Sequence, residues 1–387
     1  MTFVLAIAAL SLAIWIYLMA GRGGFWLAAV HGDDELAPPA QWPRVAAIVP
    51  ARDEAATIGQ SIGSLLAQDY PGTFQVILVD DQSSDGTAQT ALAAAAAIGA
   101  SARLSIVSGR ALPEGWSGKV WAMAQGAEHA ESLPQPPDYL LLADADIAFA
   151  PQALRRLVAR AQAQDLAIVS LMVKLRCESL AERALVPAFI FFYQMIYPFA
   201  WVNRPQSSTA TAAGGCLMVK REALRAAGGF AAIRNALIDD TSMAQLLKPR
   251  GPIWLGLTEQ VESIRPYRTF GSVRRMIARS AYDQLDYSPL LLAGTILGLA
   301  LTFLAPPLLT ILASGIAQVF GAVAWALMAI AYVPVLRLYR LSPLWAPGLP
   351  LIALIYGFFT LDSAYQHMRG KGGFWKGRTQ ARRPAAE

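Results

Sequence analysis

The C-terminal third of the chain is almost free of charged residues. Between Pro289 and Leu361 the only charged side chains are those of Arg337 and Arg340. In lipid such a segment has to be helical, because its backbone N–H and C=O groups find no water to bond. Three apolar stretches lie here, each close to the ~20 residues that cross a bilayer: residues 289–312, 315–336 and 344–361. The sequence therefore predicts a C-terminal transmembrane region over residues 289–363.

The N-terminus carries a further apolar stretch. Residues 1–21 contain no charge, and Arg22 follows directly. A signal peptide would have basic residues before its apolar part and small residues at a cleavage site. Both are missing, so the sequence predicts an uncleaved transmembrane anchor. Over the whole chain 15% of the residues are charged, against roughly a quarter in soluble proteins, which excludes a wholly soluble protein.

Basic residues flank the C-terminal region on both sides. The tail, residues 364–387, is basic, and five arginines precede the region: Arg265, Arg268, Arg274, Arg275 and Arg279. Because Lys and Arg near membrane spans face the cytoplasm, both flanks are predicted to be cytoplasmic. Three complete crossings would place the tail on the opposite side. We therefore expect either the stretch with Pro306-Pro307 or the last stretch to be re-entrant or interfacial.

Residues 43–280 form a different kind of block, which holds nearly all the acidic residues. Strand patterns alternate with helical patterns at 54–68 and 87–98; the strands are predicted at 45–49, 74–79, 104–107 and 139–142. This alternation predicts an α/β domain with a mostly parallel sheet and helices on its faces. Ligands of such sheets bind at the carboxyl ends of the strands.

An aromatic run at residues 184–202 interrupts this alternation. It is rich in Phe, Tyr and Trp and is broken by Pro187 and Pro198. The composition fits a buried helix pair and fits a membrane interface equally well, so both interpretations stay open.

Polar clusters follow the first two strands. Pro50, Arg52 and Glu54 follow the first strand, and Asp80-Asp81 follow the second. Two adjacent carboxylates repel each other unless a donor neutralises them, and a bound nucleotide offers such donors. The ordinary alternatives are a helix start with acids near its positive end and a solvated turn.

Asp144 and Asp146 follow the fourth strand. Residues two apart in an extended segment share a face, so both carboxylates are able to approach one hard cation. Mg²⁺ and Mn²⁺ are usually held by few carboxylates together with substrate phosphates. The sequence predicts a divalent-cation site here, with a merely acidic loop as the alternative.

Two further positions carry possible chemistry. Asp239-Asp240 precede an amphipathic run, where an Asp serves either as a helix cap or as a general base. Lys119 ends the segment Gly-Trp-Ser-Gly-Lys, which is not a P-loop because Pro113 stands where the first glycine belongs. Lys119 is expected to meet a diphosphate as a point charge.

Several functions are excluded. Cys177 and Cys216 cannot build a disulfide framework, and no Cys/His pair has the spacing of zinc ligands. A G-x-S-x-G match at residues 59–63 lies inside a predicted helix rather than after a strand, which argues against a hydrolase. The basic residues concentrate beside apolar stretches, where anionic lipids are better partners than nucleic acid.

In order, these clusters resemble the successive signatures of family 2 glycosyltransferases of the GT-A fold. The resemblance covers residues 45–280 and rests on Val-Pro-Ala-Arg-Asp-Glu, Val-Asp-Asp-Gln-Ser-Ser-Asp-Gly-Thr, Asp-Ala-Asp and Ile-Asp-Asp. Gly-Trp-Ser-Gly-Lys and the tail segment Phe374-Trp375-Lys376-Gly377-Arg378 are similar to the ceramide-glucosyltransferase-like branch. The overall pattern is most similar to the hopene-associated glycosyltransferases of hopanoid-making bacteria.

The resemblance implies a role for each residue. Pro50, Arg52, Glu54 and Asp81 would bind the nucleotide, and Lys119 would lie near the uracil or the diphosphate. Asp144 would contact the ribose or the metal, and Asp146 would bind the metal. Asp240 would be the catalytic base, with Asp239 beside it. The family's Q/R-x-x-R-W motif is incomplete, since Arg279 would supply its Arg while Ser280 replaces the Trp. That Trp helps processive synthases hold a growing glycan, so its loss implies a single transfer.

The resemblance implies an inverting glycosyltransferase that uses Mg²⁺ or Mn²⁺. It would move one sugar from a nucleoside-diphosphate sugar, expected to be a UDP-sugar, to a lipid acceptor, expected to be a hopanoid. The protein would be a multi-pass protein of the bacterial inner membrane with a cytoplasmic catalytic domain. The alternatives are a polyprenyl-phosphate sugar transferase, whose phosphate acceptor needs no strong base, and a non-catalytic membrane scaffold of the same fold.

Overall fold

The computed structural model describes residues 2–370 and the backbone of the short strands Phe374–Trp375 and Arg378–Thr379. The chain divides into two compact units. The first, which we call the helical unit, comprises Met1–Ala28, Cys177–Trp201 and Tyr267–Gly373. The second, the sheet unit, comprises Ala29–Arg176, Val202–Pro266 and Phe374–Glu387.

The sheet unit contains one eight-stranded sheet within the described residues. Its order is β3-β2-β1-β4-β7-β6-β8-β5, and the strands are β1 Val45–Ala51, β2 Phe74–Asp80, β3 Leu104–Ser108, β4 Tyr139–Ala143, β5 Ile147–Phe149, β6 Ile168–Lys174, β7 Cys216–Lys220 and β8 Ile253–Ser263. The four predicted strands are β1 to β4, and they pair in parallel through β1–β2, β2–β3 and β1–β4. The predicted α/β fold is confirmed.

Some helices of the chain belong to the sheet unit and pack on the faces of its sheet, and the others make up the helical unit. In chain order they are α1 Thr2–Ala20, α2 Ala55–Leu66, α3 Thr87–Ala97, α4 Gly118–Glu131, α5 Ala153–Ala163, α6 Leu180–Ile196, α7 Phe199–Val202, α8 Arg221–Ala226, α9 Asp239–Leu247, α10 Phe270–Ala278, α11 Pro289–Leu299, α12 Ala305–Leu312, α13 Ile316–Leu338 and α14 Leu349–Met368. A π-helical segment, Ala300–Leu304, joins α11 to α12.

Alternate residues of β1 face opposite sides of the sheet. Val45, Ala47 and Val49 lie in the main hydrophobic core together with apolar residues of α2, α3 and α5. Ile48 faces the other side, beneath α4. Helix α4 approaches β1 so closely that a Cβ at Gly126 would lie 2.4 Å from Ile48 Cγ2, so this position requires glycine.

Strand β7 is reversed, and this reversal decides what meets at one edge of the sheet. It pairs antiparallel with β4 on one side and with β6 on the other, while β8 runs parallel to β6. The carboxyl ends of β1, β2, β4, β6 and β8 therefore lie at the same edge as the amino end of β7. We call this the carboxyl edge.

Within residues 2–370, four helical segments are long and apolar enough to cross a membrane: Thr2–Ala20, Pro289–Leu312, Ile316–Leu338 and Pro343–Met368. The prediction of apolar helices at both ends of the chain is confirmed. Pro306 and Pro307 lie in the first turn of α12, directly after the π-helical segment, so this stretch is not one regular α-helix.

The aromatic run forms α6 and the short α7. A capping box between Ser179 and Glu182 starts α6. Phe191 lies against Tyr332 of α13 with ring centroids 5.4 Å apart, and Phe192 lies 4.9 Å from Tyr356 of α14. Of the two open interpretations, the structure favours a buried helix.

Contacts inside the helical unit give the direction of each helix. Trp15 Nε1 donates to the carbonyl of Thr302 at 2.7 Å, and Ala8 packs with Leu309. Since later residues of α1 meet earlier residues of the α11–α12 pair, α1 is antiparallel to that pair. A turn at Gly315, whose φ is +62°, then reverses the chain into α13.

Helix α14 runs in the same direction as α13. A Cβ at Gly357 would lie 3.7 Å from Leu299, and His367 stacks on Tyr287 with centroids 4.1 Å apart, so α14 is antiparallel to α11. Trp325 Nε1, in the middle of α13, donates to the carbonyl of Pro347 at 3.1 Å, just before α14 begins. The connection from 339 to 348 therefore doubles back along α13.

Candidate active site

The loops after β1 and β2 are tied together by hydrogen bonds. The Asp81 N–H donates to the carbonyl of Ala51 at 2.8 Å, and Arg52 Nη1 donates to the carbonyl of Asp81 at 2.6 Å. Arg52 Nη1 also lies 3.8 Å from Asp81 Oδ2. Asp81 is fully buried, and Pro50 pairs with Val79 within the sheet. Arg52 and Asp81 thus form one charged pair at the carboxyl edge.

The structure separates Asp81 from its acidic neighbours. Asp80 Oδ1 accepts the Ser83 N–H at 3.0 Å, and Asp85 accepts the N–H groups of Ala55 at 2.9 Å and Thr87 at 3.1 Å. These two carboxylates shape the turn and the start of α2. The solvated-turn interpretation therefore applies to them.

Lys119 joins two of the predicted acidic positions. Its Nζ lies 2.9 Å from Asp144 Oδ1 and 3.2 Å from Asp239 Oδ2. Burial on its own would lower the pKa of Lys119, but the carboxylates of Asp144, Asp239 and Asp240 outweigh it and raise the pKa. Lys119 therefore carries its charge at any physiological pH, and it holds Asp144 and Asp239 together.

Asp240 lies in the first turn of α9 and is fixed by backbone donors. Its Oδ2 accepts the Gly214 N–H at 2.7 Å, and its Oδ1 accepts the Thr241 N–H at 2.6 Å. Burial and the neighbouring Asp239 raise the pKa of Asp240 to about 6, against the opposing effect of Lys119. This value suits a carboxylate that exchanges protons near neutral pH.

Asp146 is paired with an arginine that the sequence did not single out for this site. Its Oδ2 accepts from Arg265 Nε at 2.8 Å and from Ser263 Oγ at 3.1 Å. Arg265 Nη2 donates at 2.6 Å to Oε1 of Glu54. Burial raises the pKa of Asp146, Arg265 opposes this and Asp144 adds to it. The sequence analysis grouped Arg265 with the charges that flank the membrane region, whereas Arg265 belongs to the sheet unit and lies at its carboxyl edge.

The carboxyl edge thus brings together most of the predicted residues. The sheet unit holds Pro50, Arg52, Glu54, Asp81, Lys119, Asp144, Asp146, Asp239 and Asp240. Arg279 belongs to the helical unit, directly after α10. The side chains of the predicted tail segment, residues 374–378, lie outside the described residues.

The predicted metal ligands are engaged in ion pairs. Asp144 pairs with Lys119 and Asp146 with Arg265. Among residues 2–370 no group of three or more His, Cys, Asp or Glu side chains forms a metal site by itself. Two carboxylates from one loop still fit the donor set of Mg²⁺ or Mn²⁺, because these ions complete their coordination with water and substrate phosphates.

Comparison with solved structures places the fold. A mannosyltransferase from Pyrobaculum calidifontis, in complex with GDP-Man and Mn²⁺, is similar over 95% of this chain and 99% of that one, at 20% identity and a TM-score of 0.58. S. aureus TarS is 14% identical over 77% of this chain and 55% of that one, with a TM-score of 0.41. The fold assignment rests on the mannosyltransferase. No curated protein matches the chain significantly.

The sheet with its acidic carboxyl edge, together with this likeness, defines a GT-A fold. Residues 46–228 match the family model described as Glycosyl transferase family 2. Over this part of the chain, a little under half of it, the sequence is therefore similar to family 2 glycosyltransferases, and this likeness supports an enzyme of the glycosyltransferase class.

Proposed function

We propose that the protein is a membrane-bound inverting glycosyltransferase that moves one sugar from a nucleoside-diphosphate sugar to a lipid hydroxyl. The observation that carries this proposal is the half-buried Asp240 carboxylate, oriented by two backbone N–H groups beside Lys119 and Asp239. It combines a fixed position with a pKa raised to about 6, which is what a general base needs.

The nucleotide would bind where the first two strands end. Asp81, Arg52 and Glu54 lie on adjoining loops there. The mannosyltransferase of similar fold was solved with GDP-Man, and a Mycobacterium tuberculosis glucosyl-3-phosphoglycerate synthase was solved with UDP and Mn²⁺. Those ligands belong to those proteins. For this chain we propose a UDP-sugar, on its resemblance to the lipid-glycosylating branch.

Asp146, together with Asp144, would hold a Mg²⁺ or Mn²⁺ ion, which supplies positive charge against the diphosphate leaving group. Lys119 adds a fixed cation next to Asp144. Asp240 takes the proton of the acceptor hydroxyl while that oxygen attacks the anomeric carbon. Because the attack comes from the side opposite the diphosphate, the configuration at that carbon inverts. Arg279 stays a predicted partner of the leaving group.

The helix directions in the helical unit, together with the basic residues at the helix ends, support a membrane location and one orientation. Helix α1 ends before Arg22, α11 begins after the arginines that precede Pro289, and α13 ends at Leu338 between Arg337 and Arg340. The helix directions put all of these ends on one side. The end of α14 and the basic tail follow on the same side, because α14 is antiparallel to α11 and parallel to α13.

This arrangement removes the conflict in the charge pattern. We propose that α1, the α11–α12 pair and α13 cross the membrane, and that the connection 339–348 with α14 forms a re-entrant segment. All basic flanks are then cytoplasmic, as positively charged flanks prefer. The sheet unit follows Arg22 in the chain and is cytoplasmic too. The membrane would be the bacterial inner membrane, and its lipids, hopanoids among them, the source of the acceptor.

Labelling of single cysteines tests this topology. In a background with Cys177 and Cys216 replaced by Ser, Ser314→Cys lies in the exposed α12–α13 turn and Glu387→Cys lies in the tail. A membrane-impermeant maleimide added to intact cells should label only the turn, and the tail should react after the membrane is opened. Labelling of the tail in intact cells would show that α14 crosses.

Asp240→Asn tests the catalytic assignment. The amide keeps the size of the side chain but cannot take a proton, so sugar transfer should fall by ~100-fold or more while nucleotide binding persists. The assay follows sugar transfer from radiolabelled UDP- and GDP-sugars to total lipid extract. Asp165→Asn, an exposed partner of Lys220, is the matched control. Nearly unchanged turnover would remove Asp240 from this role and favour a polyprenyl-phosphate acceptor.

A further inference from the structure

One arginine links two acidic residues at the carboxyl edge of the sheet unit. Arg265 donates through Nε to Asp146 at 2.8 Å and through Nη2 to Glu54 at 2.6 Å. The two carboxylates follow different strands, β4 and β1, and their side chains are only 11% and 10% exposed. A single guanidinium therefore links the predicted metal ligand to the predicted nucleotide loop.

The charge balance at this point depends on Arg265. Nearly buried carboxylates are costly unless a cation or hydrogen-bond donors compensate them. Arg265 supplies that cation to both acids at once, the electrostatic role that a divalent ion at Asp146 would also fulfil. A divalent ion beside a retained Asp146–Arg265 pair would face a like charge at close range, so the two cations compete for Asp146.

A diphosphate changes this competition. The planar guanidinium binds phosphate oxygens through two parallel N–H bonds as readily as it binds carboxylates. At 30% exposure the Arg265 side chain is the most accessible member of the trio. A nucleoside diphosphate at the carboxyl edge would offer Arg265 a new anionic partner as the metal takes Asp146.

We propose that Arg265 is a positioning residue that couples metal binding to diphosphate binding. This inference rests on the proposed function, because it takes Asp146 as a metal ligand. Metal alone binds weakly since it has to displace Arg265 from Asp146. Metal and nucleoside diphosphate together bind cooperatively, since Arg265 then exchanges one set of anionic oxygens for another. By linkage, each ligand strengthens the other by the same factor.

The test measures Mn²⁺ affinity of the purified full-length protein in detergent. Electron paramagnetic resonance of free Mn²⁺ is recorded without nucleotide, with UDP and with GDP, after correction for Mn²⁺–nucleotide complexes in solution. We expect the effective nucleotide to tighten Mn²⁺ binding ~10-fold or more in the unmodified protein. Arg265→Gln should bind Mn²⁺ alone ~5-fold or more tightly than the unmodified protein and should lose most of the nucleotide effect.

Three further variants sharpen this test. Arg265→Lys keeps the positive charge but loses the planar guanidinium with its two parallel N–H donors. It should therefore bind Mn²⁺ alone as weakly as the unmodified protein, and the nucleotide should tighten its Mn²⁺ binding less. Asp146→Asn should lose Mn²⁺ binding under every condition. Arg156→Gln, a change elsewhere on the sheet unit, should behave like the unmodified protein. Circular dichroism establishes that each variant is folded, and Arg265→Lys decides the matter if Arg265→Gln does not fold.

The outcomes separate the inference from the proposed function. If the unmodified protein binds Mn²⁺ with nucleotide but Arg265→Gln binds Mn²⁺ alone no more tightly, the coupling role is wrong and the metal site stands. An unchanged nucleotide effect in Arg265→Lys also refutes the coupling. If the unmodified protein binds no Mn²⁺ with either nucleotide, the metal site and the coupling both fail.

Discussion

Replacing Lys119 by Met should move the acidic limb of the pH–rate profile upward. Lys119 lies 3.2 Å from Asp239 and, with Asp240, borders Gly214. Its charge lowers the pKa of Asp240, whereas burial and Asp239 raise it. The substitution removes the lowering effect and also leaves Asp239 without its cation, so both changes make Asp240 harder to ionise. Asp240, the proposed base, is then protonated at pH values where it is ionised in the unmodified protein.

The geometry bounds the size of this shift. A Cβ at Gly214 would lie 3.1 Å from Asp240 Oδ2 and 3.3 Å from Lys119 Nζ, so the two charged groups are within about 6 Å of each other. A unit charge at ~6 Å in an effective dielectric of ~20 contributes about 2.8 kcal/mol, or about 2 pKa units. The pKa of Asp240 should rise from about 6 towards ~8 in the variant, so that at pH 7 only ~10% of the base is ionised.

The measurement is kcat/KM for the nucleotide sugar between pH 5 and 9, which reports the pKa of the free enzyme. Lys119→Met should also lower the plateau, because it removes the cation proposed to lie near the diphosphate, so the position of the limb is the informative quantity. Lys220→Met is the matched control, since Lys220 pairs with the exposed Asp165 and its loss should leave the limb in place. A limb that stays near pH 6 or moves down in Lys119→Met would refute this account of Asp240.

Two further predictions concern neighbouring structure. Gly109→Ala would put a Cβ 2.8 Å from the Asp81 Cα, so it should cost about 1–3 kcal/mol of unfolding free energy and weaken nucleotide binding measured by calorimetry. Gly63→Ala, with open space around it, is the control and should change neither quantity. Equal nucleotide affinities of the two variants would contradict the strain at Gly109. Glu182→Gln should cost about 2 kcal/mol, because the buried carboxylate accepts N–H groups of Ser179 and Tyr267; an unchanged melting temperature in detergent would count against it.

Much of the sheet was predictable because its signals are local. The predicted strands 45–49 and 74–79 correspond to Val45–Ala51 and Phe74–Asp80, since runs of buried apolar residues bounded by polar ones identify strands by themselves. The carboxylates were found for the same reason. Acidic residues that directly follow buried strands have to lie at the carboxyl edge once the strands are parallel.

Other features depended on contacts that no local pattern encodes. Arg265 is 211 residues from Glu54 in the chain, and it reaches this part of the edge because the end of β8 pairs with β5, which directly follows Asp146. In the sequence, Arg265 is one of the five arginines that precede the apolar stretch beginning at Pro289. The sequence nevertheless held a signal for Arg265, namely its position just after a strand. Arg265 stands two residues after the end of β8, much as Asp146 stands three residues after the end of β4.

The membrane helices show the same division. Hydropathy alone determined that the chain has apolar helices at both ends, because length and composition decide whether a segment suits lipid. Their directions required the tertiary structure, since a helix has the same hydropathy whichever way it runs. Likewise the sequence determined which acids stand at strand ends, and the fold decided which of them meet a cation, because such pairs form between loops that strand order alone brings together.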